Sequence, residues 1–496
     1  MGRDYNPVSL QPLYRAAEVR AMDRKAIDAA GIPGAELMRR AGAAAFAALR
    51  ERWPEARTLS VLCGAGNNGG DGYVVARLAQ AAGWDVRVYA ATPPAQLKGD
   101  ALGAYQAYRA AGGAVLEFVP ADFEGAEILV DALFGTGLDR ALEGAYAEVV
   151  RATHRFCGRI VALDVPSGLQ ADTGTVLGCA VKAELTVTFV ALKRGLFTGE
   201  GLEYAGEVVL ADLGVPPEVK RAVEPSALLL PPLVRGLPPR PRHAHKGMFG
   251  HVLVVGGDYG FSGAARMAAE AAARVGAGLV SVATRKEHAS LLSVARPELM
   301  CHGVAGREEI QALLERATVV AVGPGLRRSG WAGMLLASAL DSELPLVLDA
   351  DGLNLLAARP TRSERWILTP HPGEAARLLG SSSAKIQQDR FAAAGELQAR
   401  YGGVVVLKGS GTIIQGPQGQ PRVCTAGNPG MASGGMGDIL TGVIAGLLAQ
   451  GLDPLEAATL GVCLHGTAGD RAARAGGERG LLASDLLEPL RQLVNQ

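Results

Sequence analysis

Asp438 lies near the C-terminal end of the chain in a glycine-rich stretch, NPGMASGGMGDILTG, residues 428–442. Glycine costs roughly 1 kcal/mol relative to alanine inside a helix, so helix propensity does not explain Gly434, Gly435 and Gly437. A helix that begins near Gly435 would direct free N–H groups at a phosphate, and Asp438 could accept the proton of the attacking hydroxyl group. The pattern predicts phosphoryl transfer. The competing interpretation is that an acidic residue in a first turn only complements the helix dipole.

Four more loops of the C-terminal half contain glycine or polar residues at predicted strand ends or helix starts: GGDYGFSGAAR, VGPGL, LTPHPGE and VVLKGSGT. Their glycines would let phosphate oxygens approach the backbone. Lys408, with the hydroxyl groups of Ser410 and Thr412, could add positive charge and hydrogen-bond donors. His371 stands between two prolines, and it could bind a phosphate or the substrate or be a rigid loop contact.

The N-terminal half carries a second glycine-rich loop, VLCGAGNNGGDGYVVARLA, with the spacing G-x-G-x-x-G at Gly64, Gly66 and Gly69. The loop follows a predicted strand and precedes a predicted amphipathic helix, so its N–H groups could hold a phosphate. Hydride transfer by a dinucleotide-binding fold also needs an acidic residue about 20 positions further on. The next strand, Val86 to Ala90, runs into residues 91–93 without one, which argues against hydride transfer.

Polar side chains lie at three predicted strand ends of this half. They are Asn67, Asn68 and Asp71 in the glycine-rich loop, Asp131 in DALFGTG, and Asp164 with Ser167 in LDVPSG. Ligands of open α/β sheets bind at the carboxyl ends of parallel strands, so we expect these groups to converge. Their amide, carboxylate and hydroxyl oxygens are hard ligands that could hold potassium or a similar cation. The competing interpretation is that they only cap helices and form turns.

The candidate site residues of both halves lie at predicted strand ends or helix starts, so they require a scaffold of parallel strands. Short β-branched runs alternate with alanine-rich stretches in both halves, which is the pattern of such a scaffold. We therefore predict an α/β fold with two domains, residues 1–221 and 222–496, because the proline-rich residues 215–242 indicate a connection. The predicted strands of the first domain are Thr58 to Cys63, Asp85 to Tyr89, Glu127 to Leu133, Arg159 to Asp164 and Leu185 to Val190. Those of the second are His251 to Gly257, Leu279 to Thr284, Thr318 to Val322, Leu346 to Asp349, Trp366 to Thr369 and Val404 to Lys408.

Composition narrows the classes of partner. The chain has 496 residues and equal numbers of basic and acidic side chains, 49 each, so no overall basic charge favours nucleic acid or an anionic membrane. The six cysteines form no C-x-x-C pair, and the eight histidines are dispersed. The longest apolar runs are too short to cross a bilayer. We expect a cytoplasmic protein with reduced thiols and no histidine-built metal site, whose partners are small molecules and further copies of the chain in a homo-oligomer.

Three motifs of the N-terminal half, GNNGGDG, DALFGTGL followed by Arg140, and LDVPSG, resemble the epimerase domain of the NAD(P)H-hydrate repair proteins. Residues Tyr14 to Gly42 resemble that family's N-terminal helical segment, and the likeness extends over roughly the first 215 residues. It implies a Rossmann-like three-layer α/β/α sandwich that binds K⁺ through Asn68, Asp131 and Ser167. The implied contacts of the hydrated dinucleotide are Asn67, Asn68, Gly69, Gly70, Asp71, Gly135, Thr136, Gly137, Leu138, Arg140 and Asp164.

The implied reaction is inversion of the hydroxyl-bearing C6 of the hydrated nicotinamide ring. Either loss and return of the hydroxyl group or opening and closing of the ring creates positive charge on the ring. A fixed carboxylate such as Asp164 could stabilise that charge or transfer the proton, which makes it the expected catalytic residue.

The C-terminal motifs NPGMASGGMGDILTG, LTPHPGEAARLLG, LDADGLN and VVLKGSGT resemble the ADP-dependent NAD(P)H-hydrate dehydratase domain of the ribokinase-like superfamily. With both halves matching, the chain resembles the fused bifunctional repair enzymes. The resemblance implies that Ala264, Gly325, His371 and Asp438 contact the hydrated dinucleotide. It implies that the adenine nucleotide is held by Lys408, Gly409, Ser410, Gly411, Thr412 and Gly437. Two positions depart from the family pattern: Arg327 stands where glycine is expected, and Gly352 where alanine is common.

The chemistry implied for this half is phosphorylation of the C6 hydroxyl of NADHX or NADPHX by ADP or ATP, followed by elimination of phosphate. Hydroxide is a poor leaving group and phosphate a good one, and Mg²⁺ would neutralise charge on the nucleotide. With ADP the products are AMP, phosphate and NAD(P)H.

Two other functions stay open at this point. A kinase of a small alcohol, fused to a nucleotide-binding domain, would share the G-x-G-D pattern but release a stable phosphorylated product. A non-catalytic dinucleotide sensor or scaffold would have no need for Asp131, Asp164 and Ser167 together.

Overall fold

The computed structural model describes residues 10–118, 123, 125–231 and 237–496, and within them the chain forms two compact α/β units. Pro12–Ala227 form the N-terminal unit, and Leu228–Gln496, with Leu10 and Gln11, form the C-terminal unit. The predicted fold class is confirmed. The proline-rich connection contains a five-residue helix and a three-residue strand, and its residues 232–236 lie outside the described residues. None of the helices that the structure describes has the length and apolar character needed to cross a membrane.

The N-terminal unit alternates strands and helices along the chain. Its strands are β1 (Gln11–Tyr14), β2 (Thr58–Cys63), β3 (Asp85–Ala90), β4 (Val115–Glu117), β5 (Ile128–Ala132), β6 (Arg159–Leu163), β7 (Leu185–Phe189), β8 (Leu192–Lys193) and β9 (Glu207–Ala211). Its helices are α1 (Ala16–Asp28), α2 (Gly34–Arg52), α3 (Asn67–Ala81), α4 (Gly99–Ala110), α5 (Gly144–Thr153), α6 (Gly201–Tyr204) and α7 (Pro217–Arg221).

A parallel sheet with the order β4-β3-β2-β5-β6-β7-β9 forms the centre of this unit. Successive side chains of a strand point to opposite faces of the sheet. Val61 and Cys63 of β2 therefore pack with helices α1 to α4, whereas Leu62 packs with α5 on the other face. The unit is a three-layer sandwich. Its strand order reverses between β2 and β5, which is where open α/β sheets bind ligands.

The C-terminal unit follows the same plan. Its strands are β10 (Ala227–Leu229), β11 (His251–Val255), β12 (Leu279–Thr284), β13 (Met300–Gly303), β14 (Val319–Val322), β15 (Leu346–Leu348), β16 (Trp366–Leu368), β17 (Val404–Leu407), β18 (Thr412–Gln415) and β19 (Arg422–Cys424). Its helices are α8 (Ser262–Arg274), α9 (Lys286–Ala295), α10 (Arg307–Leu314), α11 (Gly330–Asp341), α12 (Ala350–Ala358), α13 (Pro372–Leu379), α14 (Ser383–Gln388), α15 (Arg390–Tyr401), α16 (Met436–Ala449), α17 (Pro454–Gly476) and α18 (Leu487–Leu493).

Strands β13-β12-β11-β14-β15-β16-β17 of this unit are parallel, and β18 and β19 continue the sheet in antiparallel pairing. The strand order reverses between β11 and β14, so the loops after these strands meet at the expected ligand edge. Val252 and Val254 of β11 pack against α8, α16, α17 and α18 in one apolar core.

Close packing of α8 on α16 depends on Gly442. A β-carbon on this residue would lie 2.7 Å from the carbonyl carbon of Ala268 and 2.9 Å from Cβ of Ala271. Overpacking of this kind costs about 1–3 kcal/mol, so we expect Gly442→Ala to lower the melting temperature by several degrees. Gly333→Ala in α11 is the matched control, since no atom lies within 4 Å of its β-carbon position. Equal melting temperatures for the two variants would contradict the packing argument.

Candidate active sites

A cavity of about 500 Å³ opens at the carboxyl ends of β2, β5 and β6 in the N-terminal unit. Of the residues predicted to contact a dinucleotide, those that line it are Asn67, Asn68, Asp71, Gly135, Thr136, Gly137 and Asp164. Four other predicted contacts, Gly69, Gly70, Leu138 and Arg140, are not among its lining residues. Gly69 faces Gly64 and Gly70 faces the side chain of Met38, because the start of α3 packs closely against its neighbours.

The expectation that Asn67 to Asp71 form a loop is wrong, since α3 begins at Asn67 with Gly66 as its N-cap residue. Helix α3 is also not amphipathic, because it packs between α2, α4 and the sheet and buries most of its residues. Asn68 and Asp71 thus project from the first turns of a buried helix, where backbone geometry fixes their positions.

Asp131 and Ser167 form a buried polar pair beneath the cavity. Ser167 donates to Asp131 through its hydroxyl group at 2.6 Å and through its backbone N–H at 2.7 Å. Burial raises the pKa of Asp131 to about 6, although the hydrogen bonds from Ser167 act in the opposite direction. Asn68 is buried as well, and neither polar atom of its amide has a hydrogen-bond partner among the described residues. An amide oxygen with no partner, a carboxylate and a hydroxyl group fit a hard monovalent cation such as K⁺.

Asp164 has a left-handed backbone conformation, with φ of 66°. The backbone N–H of Asp164 donates to Val187 O at 2.8 Å, which fixes the turn after β6. A β-carbon on Gly135 would lie 2.9 Å from Asp164 Oδ2 and 3.5 Å from Asn68 Cγ, so the three residues converge on one point. The predicted convergence of strand ends is confirmed for this group.

Lys193 is a site residue that sequence reasoning missed. Its Nζ forms an ion pair with Asp164 Oδ1 and donates to Phe189 O at 2.6 Å, although the side chain is only 1% exposed. A buried lysine is rarely tolerated without such partners. Its position in TFVALKRG, four residues beyond the end of β7, was the available signal, because β7 is the next strand beyond β6 in the sheet.

Asp71 and Asp23 lie near the ion pair of Asp164 with Lys193, so this group holds three acidic side chains and one lysine. Burial, followed by the charges of Asp164 and Asp23, raises the pKa of Asp71 well above its usual value. Burial also raises the pKa of Asp23, another cavity residue that sequence reasoning missed, to about 6. The cavity therefore combines acids of raised pKa with an ion pair, which is an arrangement suited to proton transfer.

Asp438 lies in the first turn of α16, after the N-cap residue Gly435, as predicted. Gly435 has φ of 93°, a conformation that glycine adopts without the steric penalty of a β-carbon. Burial and the charges of Asp349 and Glu374, opposed by the charge of Lys408, together raise the pKa of Asp438 to about 7. A carboxyl group poised near neutral pH is a competent general base.

Lys408 anchors the acidic cluster of this site. Its Nζ lies 2.6 Å from Asp349 Oδ1 and 3.8 Å from Glu374 Oε2. Burial opposes the lysine charge, but the two carboxylates raise the pKa of Lys408 above its usual value. Asp349 Oδ2 also accepts from the hydroxyl group of Thr441 at 2.8 Å. Asp349, in the quoted motif LDADGLN, is a further residue to which sequence reasoning assigned no role.

His371 is the N-cap residue of α13, and its Nδ1 accepts a hydrogen bond from Gly373 N at 3.0 Å. Its Nε2 lies 3.3 Å from Glu374 Oε1. Burial and the charge of Lys408 lower the pKa of His371, so the ring is neutral near pH 7 and can donate from Nε2. The residue therefore caps α13 and contacts the acidic cluster through Glu374.

The loop from Lys408 to Thr412 rests on Arg390, which is fully buried. The Arg390 guanidinium donates to the carbonyl oxygens of Leu407 at 3.2 Å, Lys408 at 3.3 Å and Gly411 at 3.4 Å. These carbonyl groups face inward, while Gly409 and Ser410 at the tip of the loop are exposed. A β-carbon on Gly437 would lie 3.3 Å from Lys408 Nζ, so Gly437 adjoins the same loop.

The loops after β11 and β14 bring Ala264 and Gly325 together. A β-carbon on Gly325 would lie 3.1 Å from Cβ of Ala264 and 2.9 Å from Cβ of Phe261. The departure at Gly352 has a steric basis, since a β-carbon there would lie 2.8 Å from Val322 O. Arg327, the other departure, has a left-handed backbone with φ of 58°.

Two family models match separate parts of the chain. Residues 34–195 match the family model described as YjeF-related protein N-terminus, and residues 252–492 match the model described as NAD(P)H-hydrate dehydratase. The bifunctional NAD(P)H-hydrate repair enzyme Nnr of Coxiella burnetii is 54% identical over 97% of this chain and 99% of its own length. The Escherichia coli enzyme of the same name is 44% identical over 99% of this chain and 95% of its own length.

Among solved structures, the ADP/ATP-dependent NAD(P)H-hydrate dehydratase from Bacillus subtilis, co-crystallised with ATP and Mg²⁺, is 31% identical with a TM-score of 0.48. The match covers 52% of this chain and 94% of the B. subtilis chain. The full-length identities and both family models show the family of the chain. The chain belongs to the bifunctional NAD(P)H-hydrate repair enzymes, which join an epimerase domain to a dehydratase domain.

Proposed function

We propose that residues 222–496 dehydrate the S form of NADHX and NADPHX by transferring a phosphoryl group from ADP or ATP to the C6 hydroxyl. The observation that carries this proposal is the position of Asp438 in the first turn of α16, with a pKa of about 7. Asp438 accepts the hydroxyl proton as the oxygen attacks phosphorus, and the N–H groups at the start of α16 face the transferring phosphate. Loss of phosphate from C6, with a proton from the neighbouring ring carbon, then restores the dihydronicotinamide ring.

The nucleotide is held by Lys408, Gly409, Ser410, Gly411, Thr412 and Gly437 in this proposal. Ala264, Gly325, His371 and Asp438 contact the hydrated dinucleotide. The carbonyl groups of the Lys408 loop turn inward to Arg390, so its exposed tip is available to the nucleotide.

A divalent cation fits the charge balance of this site. Asp349, Glu374 and Asp438 influence one another, and Lys408 is the cation that acts on all three. Mg²⁺ bound with the nucleotide would offset the surplus negative charge and stabilise charge on the phosphates. Glu374 is the carboxylate of this cluster that would face such an ion, because Asp349 already accepts from Lys408 and Thr441 and Asp438 takes the hydroxyl proton.

The N-terminal range, residues 1–221, interconverts the R and S forms at C6 in this proposal. Asp164 is the catalytic carboxylate, and its ion pair with Lys193 orients it. The hydrated dinucleotide lies in the cavity against Asn67, Asp71 and the Gly135 turn. A cytoplasmic location and a homo-oligomeric state stay predictions.

K⁺ is proposed to bind through Asn68, Asp131 and Ser167, next to the cavity. It would supply a fixed positive charge for the dinucleotide phosphates. We expect Asn68→Ala to weaken the K⁺ activation of epimerisation by about tenfold, because it removes the one ligand without a competing hydrogen bond. The measurement is the epimerisation rate against K⁺ concentration at constant ionic strength.

Gln80→Ala is the matched control for Asn68→Ala, because Gln80 is an amide of α3 remote from the strand ends. An unchanged K⁺ dependence in Asn68→Ala, with the fold intact by circular dichroism, would remove Asn68 from the proposed ligand set.

The proposed function is tested with a mixture of R and S hydrated NADH, purified protein, Mg²⁺ and K⁺. Recovery of NADH is followed by the near-ultraviolet absorbance of the dihydronicotinamide ring. We expect complete recovery with ADP or ATP and none without a nucleotide. Failure to recover NADH with either nucleotide would overturn the dehydratase proposal, and phosphorylation of small alcohols would then be the activity to measure.

A further inference from the structure

Two exposed aromatic side chains and one arginine flank the proposed dehydratase substrate loop. Tyr259 and Phe261 follow β11 and are 50% and 51% exposed. The Arg327 guanidinium lies 5.5 Å from the centroid of the Phe261 ring. Phe261 also contacts Gly325, which brings this group to the point where the strand order of the sheet reverses. We call Phe261 and Arg327 the aromatic–arginine subsite.

The backbone of Arg327 shows that arginine is not the residue of least strain at this position. With φ of 58°, a non-glycine residue costs about 1–2 kcal/mol that glycine would avoid. The side chain is exposed, so core packing does not compensate for that cost. The loop itself is held by the backbone N–H of Arg327, which donates to Asp351 Oδ2 at 2.8 Å and which glycine would also provide. A strained residue with an exposed side chain at a ligand edge indicates a binding role.

The charge of Arg327 is available to a ligand. No ion pair of its guanidinium is found in the described part of the chain. Arg285 gives the contrast: it lies 4.0 Å from the centroid of Trp331, but its Nε donates to Asp258 at 2.8 Å. Arg285 is therefore neutralised in place, whereas the Arg327 guanidinium lies beside an exposed aromatic face without a carboxylate partner among the described residues.

We propose that the aromatic–arginine subsite binds the adenosine end of the hydrated dinucleotide and selects NADPHX over NADHX. Phe261 stacks on adenine, and Arg327 pairs with the 2′-phosphate that only the NADPH form carries. Guanidinium groups pair with phosphate through parallel charge-assisted hydrogen bonds. The inference rests on the proposed function of this site. The pyrophosphate, common to both substrates, is the other phosphate that Arg327 could meet.

The test compares dehydration of S-NADPHX and S-NADHX at saturating ADP. In Arg327→Gly we expect the KM for NADPHX to rise about tenfold or more, with the KM for NADHX changed less than about twofold. Arg327→Lys retains part of the preference because it keeps the charge. Phe261→Ala raises both KM values by a similar factor, about tenfold, since adenine is common to both substrates.

Arg328→Ala is the matched control, because it removes an exposed positive charge one residue away from the subsite. Equal losses for NADPHX and NADHX in Arg327→Gly would assign the arginine to the pyrophosphate and overturn the inference. A loss of NADPHX preference in Arg328→Ala as large as that in Arg327→Gly would overturn it too, because the effect would then be one of overall charge.

A binding titration separates failure of this inference from failure of the proposed function. NADPH and NADH are titrated without a nucleotide against the native protein and Arg327→Gly, with ring fluorescence as the signal. Weaker binding of NADPH, but not of NADH, by Arg327→Gly supports the subsite even where dehydration is not observed. Equal affinities of the native protein for NADPH and NADH overturn it even where dehydration proceeds.

Discussion

Asp438→Asn is expected to abolish ADP-dependent recovery of NADH while epimerisation continues at the native rate. Loss of a positioned general base lowers the rate of such a reaction by about 10²–10⁴-fold. Asparagine keeps the size of the side chain and its place in the first turn of α16. The measurement is recovery of NADH from the S form, and a decrease smaller than about tenfold would show that Asp438 does not remove the hydroxyl proton.

The pH dependence of the dehydration rate is a second test of the role of Asp438. Because Asp438 acts as a base and its pKa is about 7, we expect the native dehydration rate to rise with pH through about 7 and then level off. A residual rate in Asp438→Asn would lack this inflection. His371 does not produce the same profile, because burial lowers its pKa.

As pH rises through about 7, the native protein is expected to lose stability while its dehydration rate increases. The pKa of Asp438 is higher in the folded protein than the usual value of 3.8, so ionisation destabilises the fold. This penalty is absent below pH 4, grows as pH rises, and is complete above about 7. Asp438→Asn, which cannot ionise, should therefore have a free energy of unfolding about 1–2 kcal/mol higher than the native protein at pH 8, and so unfold at a higher temperature. At pH 4 the two proteins should unfold alike.

Strands that are strongly apolar could be predicted from the sequence with both ends within two residues of the observed ends, as β2 and β12 show. Buried parallel strands are continuous runs of β-branched residues, and loop glycines bound them clearly. Strand β13, MCHG, and strand β4, VLE, have no such pattern. They form at the edges of their sheets because a neighbouring strand offers hydrogen bonds, and a single segment does not carry that information.

The same limit applies to the sites. The glycine-rich motif placed Asp438 at a helix start, and the strand pattern placed Asp164 at a strand end, as the structure has them. Lys193 and Asp349 were missed because their significance lies in a partner far along the chain. Asn67 to Asp71 were taken for a loop because glycine opposes helix formation. In the structure, tertiary packing overrides that tendency: the glycines let α3 lie against Gly64 and Met38.

Asp164→Asn is expected to stop epimerisation and leave dehydration of the S form intact. The loss should be about 10²–10⁴-fold, as for removal of a positioned acid–base group. Asparagine tolerates the left-handed backbone of this residue better than most side chains do, so the turn after β6 should persist. The measurement starts from pure R-NADHX and follows the appearance of the S form by chromatography.

Lys193 complicates the interpretation of Asp164→Asn, because Lys193 is buried and its charge is balanced by the Asp164 carboxylate. Removing one partner of a buried ion pair costs about 3–5 kcal/mol, so Asp164→Asn alone should lower the melting temperature of the N-terminal unit. The double variant Asp164→Asn/Lys193→Met removes both charges and should regain much of that stability. If catalysis depends on the carboxylate itself, the double variant is stable and inactive. Recovery of epimerisation together with stability would show that Asp164 only balances the charge of Lys193.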